Sequence, residues 1–312
     1  MAEHRLVIGL NAVLAAIEGE TPYVLCVERP DGWGLPFGSF DPGQHRTFEL
    51  GLRDFVANQA AIPLGYVEQL YTFGDLGREA PRAQMRDTGD SDRIVSVGYL
   101  ALSPAIAMAT LERTAWHSWY DYFPWEDWRD GAPTCLPALL THLDTWATTE
   151  GQQARLRTAF GIGGIAWEEE RALDRYELLY EAGLVQEAHR DRPGEHPSPP
   201  LANTGRAMIS DHRRILATAI ARLRGKLRYR PIVFEMIPEL FTLTRLQTAV
   251  EAVLGFSVHK QNFRRSLETA HLVEKTESSA AATGGRPAAM YRASLLAREK
   301  HAPGLTLPRR RD

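Results

Sequence analysis

Cysteine is nearly absent from the 312-residue chain: only Cys26 and Cys135 occur, far apart and without Cys-x-x-Cys spacing. That scarcity excludes a disulfide framework and a cysteine-based zinc site. It fits a reducing, cytoplasmic setting in which each thiol is a small buried apolar residue. No apolar run approaches the roughly 18 residues that a membrane helix needs, so no membrane partner is expected. The opening MAEHRLVIGL lacks a basic segment leading into a long apolar stretch and a small-residue cleavage site, so no secretory leader is read there. Lysine is scarce too: Lys226, Lys260, Lys275 and Lys300 are the whole set, and all lie late in the chain.

The net charge of −3 conceals a polarity. From Arg206 onward there are 20 Lys+Arg against 9 Asp+Glu, while residues 1–205 hold 16 basic against 30 acidic residues. A segment of +11 thus follows one of −14. Such a basic end suits a polyanion, nucleic acid foremost; the alternative is two surfaces that attract one another.

The first hundred residues alternate short β-like runs with turns. LVIGLNAVLAAI and YVLCVERP read as strands, ending at Gly19-Glu20 and Pro30-Asp31-Gly32. GWGLPFGSFDPG then leads into a helical segment, HRTFELGLRDFVANQA, where Phe48, Leu52 and Phe55 share a face. YVEQLYTFGD and RIVSVGYLALS read as further strands, which makes a mixed α/β domain of residues 1–150. From Pro104 to Gln186 the pattern is helical, and the aromatics of WHSWYDYFPWEDW read as core or interface. Residues 151–205 are a helical extension ending in RDRPGEHPSPPLANTG, a turn-rich linker. RAMISDHRRILATAIARLRGKLRY follows as an amphipathic helix with basic exposed positions.

Residues 206–312 end in a pattern of helix, turn, helix and hairpin. FTLTRLQTAVEAVLG begins with Thr244-Arg245-Leu246-Gln247, a capping-box spacing, and stops at Gly255; Leu246, Val250, Val253 and Leu254 form its apolar stripe. After FSVHK comes QNFRRSLETAHLVE, where Phe263 and Leu267 turn inward and Gln261, Asn262, Arg264 and Arg265 turn out. Two strands, LVEKT and AMYRAS, flank the loop ESSAAATGGRP. In that order the second helix can enter a major groove, where amides and guanidinium groups reach base edges, and Arg286 of the wing can reach the backbone or minor groove. Thr244, Arg245 and Lys260 complete the candidate DNA contacts. The competing reading is a helical pair and hairpin used for dimerisation, with solvated arginines.

FTLTRLQ, HKQNFRRSL and GRPAAMYR strongly resemble the C-terminal winged helix of Nudix-related transcriptional regulators, and the resemblance extends to the N-terminal part. It looks most like the branch controlling NAD synthesis, the NadQ and NrtR type. The fold this implies is an N-terminal Nudix-like α/β/α sandwich, a helical middle segment and a C-terminal winged helix-turn-helix.

The Nudix motif, G-x5-E-x7-R-E-U-x-E-E-x-G-U, sets carboxylates to hold Mg²⁺ against a diphosphate. Here its frame reads LPFGSFDPGQHRTFELGLRDFVANQAAI. Gly38 opens it, and Gln44 stands at the first glutamate. With Arg53 as the motif arginine, Asp54 replaces glutamate while Ala57 and Asn58 replace the pair; slid by one, the pair is Asn58 and Gln59. The closing glycine is Ala60 or Ala61. Asp54 and Glu49 are poor replacements, so no catalytic residue, no metal and no required cofactor are expected. The resemblance implies a sensor pocket for NAD, ADP-ribose or ATP. Its candidates are Arg29, Trp33, Phe37, Arg46, Tyr71, Phe73 and Arg78, since an aromatic can stack on adenine and an arginine can clasp a diphosphate. Phe37 and Phe73 read more readily as core than as ligand contacts, and Arg78 can be read as solvated. The whole reads as a repressor of NAD-biosynthesis genes, a homodimer on palindromic double-stranded operator DNA. The competitors are an active hydrolase of ADP-ribose or NADH with a nucleic-acid-binding appendage, and a nonspecific RNA- or DNA-binding adaptor.

Overall fold

A computed structural model describes residues 5–60, 64–78, 92–104, 113–279, 288–299, 304–305 and 310. The strand-like runs pair into one mixed sheet. β1 (Leu6–Glu18) and β2 (Thr21–Arg29) form an antiparallel hairpin; β3 (Gly32–Gly34) extends β2, and β4 (Phe37–Ser39) pairs with the first half of β1. β5 (Val67–Phe73) is antiparallel to β6 (Arg93–Leu102), which runs parallel to β1, giving the order β3-β2-β1-β6-β5. A further strand, β7 (Thr114–Ser118), lies within the stretch read as helical and pairs with β2. Five residues are too few to show a period, so pairing with β2 decided its state.

β1 is apolar along its length because both of its faces are covered. Leu10, Ala12 and Leu14 pack with Leu52 and Val56 of α1 (Phe48–Ala60). Val13, Ala15 and Ile17 point the other way, into the cluster containing Ile215, Leu216 and Ile220 of α6 (His212–Tyr229). The α/β/α sandwich expected is therefore present, with α6 as its third layer. The sequence pattern alone places the start of this helix near Arg206 and its basic residues in solvent. It starts at His212, lies against β1, β5 and β6, and pairs those residues with carboxylates from earlier in the chain. Arg213 meets Glu187, Arg214 meets Asp75 and Glu177, Arg222 and Lys226 meet Glu68, Arg224 meets Glu126, and Arg228 meets Glu169 and Glu170. Much of the charge polarity is thus internal attraction between the two parts.

Of the middle helices α2 (Leu136–Trp146), α3 (Glu150–Phe160), α4 (Ala172–Glu181) and α5 (Gln186–Asp191), α4 packs on α6, α3 and α5 pack on α4 and α2 packs on α3, while Trp119, Tyr122, Phe123 and Trp125 are core. The end of the segment read as a linker is pinned down. Leu201 N donates to Leu184 O at 3.1 Å, the Thr204 side chain is bonded to Leu201 O, and Arg213 binds Thr204 O. Its prolines and glycines set turns, but buried donors hold those turns in place.

The C-terminal order is a winged helix. α7 (Leu243–Leu254) and α8 (Lys260–Thr269) are followed by β8 (Val273–Ser279) and β9 (Ala289–Ala293), and Phe241 adds a bridge to Tyr291 on β9. The stripe Leu246, Val250, Val253 and Leu254 is buried, as are Phe263 and Leu267 of α8. Among the described residues, no helix is long and apolar enough to cross a membrane.

Candidate nucleic-acid interface and nucleotide-binding site

α7 ends at Gly255, whose φ of +81° suits glycine, and a Cβ there would sit 2.3 Å from Glu126 O. Its start is capped by Thr242, whose side chain accepts from Arg245 N at 3.1 Å, two residues before the capping box read from sequence. Thr244 lies exposed in the first turn, and Gln247 turns away from the cap. Gln247 Nε2 donates to Glu251 Oε1 and to Val258 O, while Glu251 Oε1 accepts from Val258 N at 2.8 Å. These bonds fix the turn, and hence the direction in which α8 leaves it.

On α8, Lys260, Gln261, Asn262, Arg264 and Arg265 are exposed, and its cations pair with no carboxylate among the described residues. This contrasts with α6, whose cations are paired. The surface offers fixed positive charge and amide donors on one face of a short helix. Arg245 behaves differently from the expectation of a DNA contact. Its guanidinium donates to Ile17 O and Gly19 O, both at 3.2 Å, clasping the β1–β2 hairpin. Arg286 lies outside the described residues.

α7 is held at its other end as well. Tyr120 OH donates to Ala252 O at 2.7 Å, Arg224 Nε to Val253 O at 2.9 Å, and Trp128 N to Gly255 O at 2.6 Å. Arg224 is fully buried and shares Glu126 with Arg175. Burial opposes the Glu126 charge, yet the two guanidinium groups hold its carboxyl below the usual carboxylate range.

The nucleotide candidates fall into two groups. Arg29 on β2 and Phe37 on β4 come together, with the Arg29 guanidinium 5.3 Å from the Phe37 ring centre, whereas Trp33 on β3 pairs with Glu28 and packs on His117, ring centres 4.5 Å apart, away from them. Phe73 is buried and Tyr71 exposed on β5, at the opposite edge of the sheet, so they do not join that group. Arg46 is exposed ahead of α1. Arg78 is not solvated: it is buried against the Tyr180 ring, 2.9 Å from Asp211 and 3.4 Å from Glu177. Burial raises the Asp211 carboxyl to about 6 against the pull of Arg78 and Arg214.

Three residues that sequence reasoning did not single out for the pocket surround Phe37. Gln59, at the end of α1, donates to Phe37 O at 2.7 Å and accepts from Phe37 N and from Arg29 Nη2. Its place in the slid Nudix register was the available signal. Asn11 pairs with Phe37 in the β1–β4 register, and its Oδ1 is buried without a partner. His212, at the start of α6, packs edge-on to Phe37 with ring centres 5.0 Å apart and accepts from Leu35 N at 2.9 Å. Burial, with Arg190 and Arg29 nearby, lowers its pKa to about 3. Nothing local could mark a residue so distant in the chain. The motif's surviving carboxylates are engaged elsewhere: Glu49 pairs with Arg53 at 2.9 Å, and Asp54 lies 3.5 Å from His45.

Comparison with known proteins places these features. Residues 233–293 match the NrtR DNA-binding winged helix domain. A curated relative, the ADPR responsive transcriptional repressor NtrR of Acinetobacter baylyi, is 44% identical over 85 residues. That match covers 27% of this chain and 34% of the relative, so the chain aligns with about a third of the repressor's length. Shewanella oneidensis NrtR, in a crystal structure with a 27mer DNA, superposes with a TM-score of 0.54 at 21% identity, covering 92% of this chain and 93% of that one. A MutT/nudix family protein from Enterococcus faecalis gives 0.51 at 16% identity, over 94% and 90%. At those identities the likeness is one of fold: a Nudix-like domain followed by a winged helix. The resemblance read from FTLTRLQ and HKQNFRRSL is borne out.

Proposed function

We propose that this chain is a cytoplasmic transcriptional repressor that reads operator DNA with α8 and senses an adenine nucleotide in its Nudix-like domain. The observation that carries the reading is the exposed face of Lys260, Gln261, Asn262, Arg264 and Arg265, whose cations pair with no carboxylate among the described residues, on the second helix of an NrtR-type winged helix. One recognition helix reads few base pairs, so a homodimer on a palindromic site is the arrangement that gives specificity. The Acinetobacter relative, by its name, responds to ADP-ribose and represses transcription; ADP-ribose is accordingly the first effector to test here, with NAD and ATP beside it. Target genes are those of NAD biosynthesis, where repression by an NAD-related signal would act as feedback.

The Nudix-like domain binds and does not hydrolyse. Gln44, with either Ala57 and Asn58 or Asn58 and Gln59, stands where the motif needs glutamates, and the neighbouring Glu49 is already paired with Arg53. A nucleotide regulates only if it binds the DNA-competent and incompetent states unequally. The test is a DNA-binding titration on the promoter of an NAD-synthesis operon, with and without ADP-ribose, NAD and ATP. A preference for that promoter over scrambled DNA, changed by one nucleotide, is expected. Equal binding to scrambled DNA, or Mg²⁺-dependent release of AMP from ADP-ribose, overturns the reading.

A further inference from the structure

Around Phe37, among the described residues, two buried donors have no acceptor, and the one buried acceptor without a partner, Asn11 Oδ1, bonds to neither of them. His212 is 1% exposed, and because its Nδ1 accepts from Leu35 N the neutral ring carries its proton on Nε2, which is buried without a partner. Arg29 Nε is also buried without a partner, and no carboxylate among the described residues pairs with that guanidinium. Burial alone lowers the Arg29 pKa, the mark of a cation lacking a counter-ion. Gln59 does not supply the missing acceptor, since its Oε1 already receives Arg29 Nη2 and Phe37 N. Unmet buried donors of this kind are rare in folded proteins and demand an explanation.

We propose that Arg29 and His212, packed on the Phe37 ring, form a metal-free subsite for the diphosphate of a nucleotide. Anionic oxygens would accept from Arg29 Nε and His212 Nε2 and neutralise the unpaired guanidinium. In ordinary Nudix chemistry that anion is held through Mg²⁺ and glutamates; here a guanidinium and a neutral imidazole take the place of the cation. The inference rests on the nucleotide-sensing reading and adds a route for its signal. His212 begins α6, and Ile209 N donates to Trp33 O at 3.0 Å, so the β3–β4 segment and the start of α6 are bonded twice. A Cβ on Gly34 would lie 2.5 Å from His212 Nδ1, so there is no slack between them. About 18 Å along the same helix, Arg224 holds Val253 O at the end of α7. An anion drawn onto His212 therefore acts on the helix that orients the DNA reader.

The test is calorimetric titration of the full chain in EDTA, with ADP-ribose and separately with inorganic pyrophosphate, for wild type, Arg29→Gln and His212→Gln. Binding by the wild type without metal is expected, at least tenfold weaker in each variant for both ligands. In wild type labelled with ¹⁵N-histidine, the His212 Nε2 resonance should shift on adding pyrophosphate, a readout that needs no variant to fold. Undiminished affinity in folded Arg29→Gln, binding that vanishes in EDTA, or an unmoved Nε2 resonance at saturating ligand overturns the subsite. Pyrophosphate bound through Arg29 and His212, with DNA affinity indifferent to every nucleotide, would keep the subsite and reject the sensing reading. Nucleotide-responsive DNA binding unaltered in both variants would do the reverse.

Discussion

His212 shows how strongly one buried group can be tuned. Its folded-state pKa of about 3 lies below the ordinary 6.5, so the unfolded chain binds the extra proton between those values. The stabilisation is therefore complete above about pH 6.5 and is lost as pH falls toward 3, by up to about 1.4 kcal/mol per pH unit. Asp211 next to it titrates in the opposite sense near 6, so wild type must be compared with His212→Gln, which keeps Asp211. Urea unfolding of the two should show their stability gap narrowing by about 2 kcal/mol between pH 7 and pH 5. Arg245 makes a second case. With its guanidinium on Ile17 O and Gly19 O, Arg245→Ala should cost about 1–2 kcal/mol in urea unfolding. The salt dependence of DNA binding should stay unchanged in that variant, because a group clasping the hairpin releases no counterion.

At the scale of elements, α7 is fastened and α8 is presented. The hairpin holds one end of α7, while Tyr120, Arg224 and Trp128 hold the other. At the second end Arg224 is held by Glu126, which bridges it to Arg175 in the interior. Glu126→Gln keeps the shape and removes the charge, leaving two buried guanidinium groups uncompensated. A loss of about 3–5 kcal/mol is expected by thermal or urea unfolding. α6 was legible as a helix from its period, yet its role was not: the same Arg-rich pattern serves a solvated face or a buried ion-paired one. Only the carboxylates brought from β5 and the loop after it, from α4 and α5, and from the turns at Glu126 and Glu169–Glu170 distinguish them. The strand Thr114–Ser118 was misread for a related reason, since five residues take their state from the strand beside them.

For the molecule as a whole, the basic surface available to DNA is smaller than the charge count implied. With the α6 cations paired internally, α8 carries the exposed charge, unpaired among the described residues, that the proposed function assigns to DNA. Arg264→Ala with Arg265→Ala should weaken operator binding about 100-fold or more and reduce the salt slope by about 2, while nucleotide affinity is unchanged. Undiminished operator binding, measured by fluorescence anisotropy across salt concentrations, would sink the assignment of α8 as the reader. The Nudix-like body and winged helix meet along α6 and α7 rather than across a free linker, so a change felt at Phe37 has a continuous packed path to α8.

Local pattern in the chain determined the four longer strands β1, β2, β5 and β6, the helix α1, the stripe of α7, the inward pair Phe263 and Leu267, and the outward polar face of α8. These follow from periodicity, glycine stops and residue type, all of which act over a few neighbours. The neutral residues Gln44 and Asn58 in the proposed Nudix frame were legible in the same way, because a charge absent from the sequence is absent from the fold. Tertiary structure alone decided which cations stay unpaired, which candidate pocket residues meet, and that Arg245 reaches the hairpin. It also decided that His212 stands beside Phe37, 175 positions away in the chain. Those outcomes depend on partners supplied by distant segments, and burial of a charge or a donor acquires meaning only when its partner's position is known.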